Sequence, residues 1–205
     1  MARNSSKPPA MISVRRRAPS HFLVLMVMLV TGCDGGGTAG TKALPDVRPV
    51  VDGAPYLCDL VPEPSFQRAT GVTARLRSHW SGPQKDGGLC VALPPKGRSA
   101  LGLEWSYKDG EEILHTQREN WTHKSSQQIP AEMGRGLAGH DPSGGLTGLP
   151  NYVIALFRCG RKKVWISIDF ARVVRGRDAV QDMFDFMRIA EKRFGELHKC
   201  TPRAS

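Results

Sequence analysis

His140-Asp141, with Ser143 two residues on, are the parts of a hydrolase relay. The carboxylate would orient an imidazole, the imidazole would take a proton, and the hydroxyl would attack. Relay members usually come from distant positions, each on its own strand or loop. Here three near neighbours share one Gly-rich stretch, and no Gly-x-Ser-x-Gly elbow precedes them. A hydrolase using His140 and Asp141 is therefore the second reading, behind one without catalysis. His115 and His123 are eight residues apart and His79 is isolated. Without a His-x-x-x-His or His-Glu-x-x-His pair no metal is expected. Gly144-Gly145-Leu146-Thr147-Gly148 lacks the Gly-Lys-Ser/Thr ending of a phosphate loop, so no cofactor is expected either. The remaining candidates are for binding. Arg158, Arg161, Lys162, Lys163, Arg172, Arg175 and Arg177 face one acid, Asp169, within twenty residues. Arg161, Lys162 and Lys163 fall at a hairpin tip and Arg172–Arg177 at the far end of the next strand, so two separate ends are expected rather than one patch. Trp165 lies on the strand face opposite Val164, Ile166 and Ile168. It is either a binding residue or one covered by a loop from 122–150.

A fifth kind of chemistry sits at Cys33. Arg15-Arg16-Arg17, the apolar run Phe22–Val30 and Val30-Thr31-Gly32-Cys33 follow one another. A basic segment, a short apolar segment and small residues make an export signal. The nine-residue apolar run is too short for a membrane span of about 20 residues. With a cysteine next, the segment resembles a bacterial lipoprotein signal, with Val30 in place of the usual Leu. The resemblance implies removal of residues 1–32, a diacylglyceryl thioether on Cys33 and attachment to the membrane by lipid. Arg16-Arg17 leaves the general and the twin-arginine routes both open.

Five basic residues (Arg3, Lys7, Arg15, Arg16, Arg17) and no acidic ones precede Cys33. Half of the formal charge of +10 therefore belongs to the signal, and the rest of the chain carries +5. That is enough to favour anionic lipid or wall polymer. It is no argument for nucleic acid, and no basic–aromatic interleaving suggests one. Four further cysteines, Cys58, Cys90, Cys159 and Cys200, suit two disulfides in an exported domain. Cys58–Cys90 and Cys159–Cys200 are the expected pairs of the three possible pairings, each bracketing half of the domain. A zinc site lacks the usual Cys-x-x-Cys.

These residues need a scaffold. Residues 33–55, rich in Gly and Pro, read as a flexible tether long enough to let the domain tumble free of the surface. One domain is expected over 56–205. Ser65–Thr70 reads as a short helix stopped by Gly71. Leu89–Leu93 and Leu101–Tyr107 alternate as strands. Asp109-Gly110 reads as a hairpin turn, with Glu112–Arg118 as the return strand. Residues 122–150 read as long loops with a helical turn near Ala131–Met133. Tyr152–Arg158, apolar on both faces, reads as a central strand, and Val164–Phe170 as its neighbour. Val180, Met183, Phe184, Met187, Ala190, Phe194 and Leu197 recur at helical spacing. The expected class is α+β: an antiparallel sheet, a short N-terminal helix, and a long C-terminal helix packed on one face.

Cys58-Asp59-Leu60-Val61 … Gly71 … Cys90, behind a lipid-modified cysteine and a Gly/Pro stretch, resembles a family of surface lipoproteins from high-GC Gram-positive bacteria. That family carries a domain of unknown function, with Cys-x-Leu-Leu, a helix ending in Gly, and a second Cys opening a strand. Val61 stands for the second Leu, and Val91-Ala92 follows Cys90 where an aromatic is common. The resemblance implies an extracytoplasmic, lipid-anchored protein. Its expected role is a binding or accessory module for an envelope protein, anionic lipid or wall polymer.

Overall fold

Both faces of the longest strands carry apolar side chains, so the sheet needs cover on both sides. The computed structural model describes residues 46–121 and 126–205. Cys33, its signal and His123 lie outside the described residues. An eight-stranded sheet holds β3 (Arg77–Ser81), β4 (Gly87–Leu93), β5 (Leu101–Ser106), β9 (Lys162–Phe170), β8 (Asn151–Cys159), β7 (Arg135–His140) and β6 (Ser126–Gln128) in that spatial order. β10 (Pro202–Ala204) extends the edge of β8, and all pairings are antiparallel. A small ribbon, β1 (Tyr56–Leu57) and β2 (Val61–Pro62), precedes it.

One sheet face carries Leu101, Leu103, Trp105, Val153, Phe157, Val164, Ile166, Ile168 and Phe170, all buried. It is covered by α1 (Glu63–Thr70) and α3 (Ala179–His198). The α+β class with a long C-terminal helix is as expected. α1 begins with Pro64 in its first turn and ends at Gly71, whose φ of 66° is left-handed, a conformation glycine adopts without a Cβ clash. α3 is capped by Asp178, whose carboxylate accepts from Val180 N and Gln181 N at 3.0 Å each. Its buried stripe is Met183, Phe186, Met187, Ala190 and Phe194. Phe186 replaces Phe184 on the inner line, and Leu197 is half exposed.

The other face is covered by α2 (Gly110–Trp121), which corrects the expected return strand. A strand after β5 would need a free β5 edge, and β4 and β9 occupy both. Glu111 and Glu112 in the first turn and Arg118 in the last match the helix dipole. Its Leu114 packs with Leu137, Ile154, Leu156 and Trp165 of the sheet beneath it. Residues 122–150 are likewise more than loops, since β6 and β7 fall within them, along with the helical turn Ala131–Met133. Both expected disulfides are present, Cys58–Cys90 with Cα atoms 5.9 Å apart and Cys159–Cys200 with 5.4 Å.

Residues 46–55, read above as the end of the tether, run along α3. Arg177 donates to the Asp46 carbonyl at the start of the helix, and Lys192 meets Asp52 at 2.8 Å two-thirds of the way along. The Arg193 guanidinium lies 4.1 Å over the Tyr56 ring. Ser65 Oγ donates to Val51 O and accepts from Val51 N, and Val50 is buried.

Candidate functional site

Aromatic side chains gather where α3 ends. β5 presents Trp105 and then Tyr107 to the face covered by α3, and the last turns of the helix bring Phe194, Leu197 and His198. Trp105 lies 5.1 Å from Phe194 and 4.9 Å from His198, centroid to centroid. The imidazole stacks on Phe194 at 4.0 Å, and its Nδ1 is 3.3 Å from the Tyr107 hydroxyl. Burial, reinforced by the nearby Lys162 ammonium, pushes the His198 pKa below its ordinary value, so the ring is neutral at pH 7.

Opposite these rings, β3 holds Trp80, whose indole Nε1 donates to Asp59 Oδ2 at 3.1 Å. Trp80 pairs in register with Cys90, which is bonded to Cys58. The disulfide therefore holds this wall against the turn that carries Asp59. Cys58, Asp59, Trp80, Gln84, Trp105, Phe194, Leu197 and His198 line a groove of about 190 Å³. Three of its residues, Cys58, Asp59 and Gln84, have φ values of 49°, 62° and 52°. Left-handed backbone at non-glycine residues costs on the order of 1 kcal/mol each and tends to collect at functional sites. The groove offers apolar ring surface, a half-exposed Leu197, an amide, a carboxylate and a neutral imidazole. Such a set recognises an amphipathic group through stacking and a few hydrogen bonds.

The residues named from sequence are placed elsewhere. Trp165 is 3% exposed and donates its Nε1 proton to Lys108 O at 2.7 Å. It supports the start of α2, whose first turn lies against it, and with Leu156 and Lys163 it lines a depression of about 280 Å³ there. Arg161, Lys162 and Lys163 are all exposed but diverge by strand alternation. Lys162 Nζ sits 4.4 Å from the Tyr107 ring centroid on the α3 side, while Lys163 pairs with Glu111 at 2.7 Å on the α2 side. At the other end Arg172 donates to Thr70 O and Gly71 O, and Arg177 makes a buried pair with Asp182.

His140 and Asp141 do not engage each other in relay order. His140 Nδ1 meets Asn151 Oδ1 at 3.0 Å, whereas Asp141 Oδ1 accepts directly from Ser143 Oγ at 2.6 Å and from Ser143 N. Beneath this loop Asp169, 1% exposed, accepts from Thr147 N, Thr147 Oγ1 and Ser167 Oγ. Burial outweighs those bonds and pushes its pKa up to about 6. Among the described residues no group of three or more His, Cys, Asp or Glu stands ready for a metal ion, and no helix is long and apolar enough to cross a membrane.

A second depression of about 550 Å³ runs along the last half of α3, lined by Arg188, Glu191, Lys192 and Lys199 and closed by Pro202 of β10. The Glu191 carboxyl is 7% exposed, and its Oε1 has no hydrogen-bond partner among the described residues. Burial pushes its pKa up to about 9, with Arg188 opposing and Glu132 adding. No periodicity in the sequence marks the groove, because its residues come from four distant segments. The chain folds as an antiparallel α+β domain with an aromatic-lined groove at one end. No family model, curated protein or solved structure matches the chain.

Proposed function

We propose that this protein is a lipid-anchored lipoprotein on the extracytoplasmic face of the cell membrane, acting as a binding or accessory module without catalysis. The observation that carries the reading is Cys33 immediately behind Arg15–Arg17 and the apolar run Phe22–Val30. Two disulfides support an oxidising compartment. The resemblance of Cys58-Asp59-Leu60-Val61 … Gly71 … Cys90 to surface lipoproteins agrees with it. Binding is favoured over hydrolysis because the Asp141 carboxylate takes up the Ser143 hydroxyl, and the imidazole beside it turns to an amide. The groove between Trp80 and His198 is the recognition site of this reading, and an envelope component is its partner.

The test is a Cys33→Ala variant expressed in a lipoprotein-processing host. The wild type should fractionate with membranes and carry the mass of a diacylglyceryl group on Cys33. The variant should lose both. A wild type without acyl mass, or a variant that still sediments with membranes, refutes anchoring through Cys33.

A further inference from the structure

The groove at the end of α3 keeps a set of unspent polar atoms beside a fixed indole, and that combination narrows what it can hold. We infer that it seats one neutral pyranose ring of an envelope saccharide against Trp80. This inference rests on the reading of the groove as the recognition site.

The apolar part of the groove is set in advance. Its floor is Leu60, Trp105 and Phe194, all buried. Half-buried Trp80 stands on one side, and half-exposed Leu197 with His198 on the other. The indole is held from two directions. Its Nε1 proton goes to Asp59 Oδ2 at 3.1 Å. Its benzo ring lies against Gly88 of β4, where a Cβ would come within 3.2 Å of Cε3 and Cζ3. The same point is 3.4 Å from Gln84 Cγ, so the stem of Gln84 and the indole meet over one glycine. A ring already locked in place loses little freedom when a ligand packs on it.

The polar part is placed but not used up. Asp59 gives one carboxylate oxygen to the indole and keeps Oδ1. His198 meets the Tyr107 hydroxyl through Nδ1 and keeps Nε2. The exposed Gln84 amide makes no hydrogen bond among the described residues. A carboxylate accepts, an amide donates and accepts, and a ring nitrogen does either by tautomer. Hydroxyl groups, which both donate and accept, satisfy all three. A pyranose carries such hydroxyls around its edge, with C–H groups on its faces to pack on an indole.

Size and charge exclude the alternatives. A groove of about 190 Å³ is smaller than the roughly 300–1,000 Å³ of sites for drug-sized ligands. It admits one ring and leaves the rest of a chain in solvent. Asp59 repels phosphate, sulfate and uronate groups. Lys162, close enough to His198 to disfavour its protonation, opposes a cation at the other side. A quaternary ammonium would also leave the Gln84 amide and the imidazole unpaired.

The experiment titrates the full chain, disulfides oxidised, with cellotetraose, maltotetraose, mannotetraose and chitotetraose. Binding is read from side-chain N–H resonances in nitrogen-15 NMR spectra. At least one tetrasaccharide should shift the Trp80 indole and Gln84 amide signals, leave the Trp165 indole in place, and bind with a dissociation constant on the order of 1 mM. Trp80→Ala should weaken binding about tenfold, with Trp80→Phe recovering part. Gln84→Ala, at an exposed position, should weaken it roughly two- to tenfold. Shifts confined to other residues, affinity unchanged in both alanine variants, or equal binding of tetragalacturonate overturns the assignment. In parallel, wild type and variants are sedimented with isolated envelopes of the producing organism. Sedimentation that needs Trp80 and Gln84, with no tetrasaccharide bound at about 10 mM, overturns the sugar and leaves the groove as a recognition site. Loss of neither sedimentation nor signal position in any variant overturns both.

Discussion

Replacing Glu191 by Gln should change how stability depends on pH. The folded carboxyl holds its proton up to about pH 9, against an ordinary 4.5. Burial is the main cause, and the residue is 7% exposed. Between those values the folded chain binds one proton that the unfolded chain does not. Stability from this group is thus fully present below about 4.5 and is lost as pH rises towards 9, by about 1.4 kcal/mol per pH unit. From pH 5 to 8 the wild type should lose at most about 4 kcal/mol through this site. Glu191→Gln keeps the shape and removes the titration, so the variant should gain on the wild type by that amount over the interval. Asp169, raised to about 6, acts in the same direction at lower pH. Asp52 and Glu111, whose pKa values Lys192 and Lys163 respectively depress, act oppositely in acid. All three are present in both proteins and cancel in the difference. The groups facing Glu191 are Arg188 on its own helix and Glu132 from the turn beneath, and both are unchanged by the substitution. Urea denaturation at pH 5, 6, 7 and 8 measures the two curves. Parallel curves would refute the reasoning, because they would mean that Arg188 compensates an ionised Glu191 in the folded state.

Two further outcomes test the framework. Arg177 and Asp182 form a bidentate pair with side chains 3% and 6% exposed; removing either partner should cost about 3–5 kcal/mol, while Arg177→Met with Asp182→Leu should recover much of it, as a double-mutant cycle by chemical denaturation would show. Cys159→Ser with Cys200→Ser opens a loop of 41 residues and should cost about 4 kcal/mol on the chain-entropy argument; non-reducing peptide mapping of the wild type should return Cys58–Cys90 and Cys159–Cys200 and no crossed pair.

What sequence revealed and what it hid divides along physical lines. Strict alternation in β9 and helical spacing in α3 are local signals, and both elements appear where those signals lie. The helix stop at Gly71 is local too. α2 was hidden because Asp109-Gly110 is a strong turn signal, and what overrode it is not local. β9, sixty residues on, takes the β5 edge that a hairpin strand would need. Trp165 followed the same logic. Its alternation correctly placed it opposite Val164, but the helix that buries it was read as a strand. The run 46–55 gave no periodic signal because it docks through backbone and ion-pair contacts, with Val50 its one buried apolar side chain.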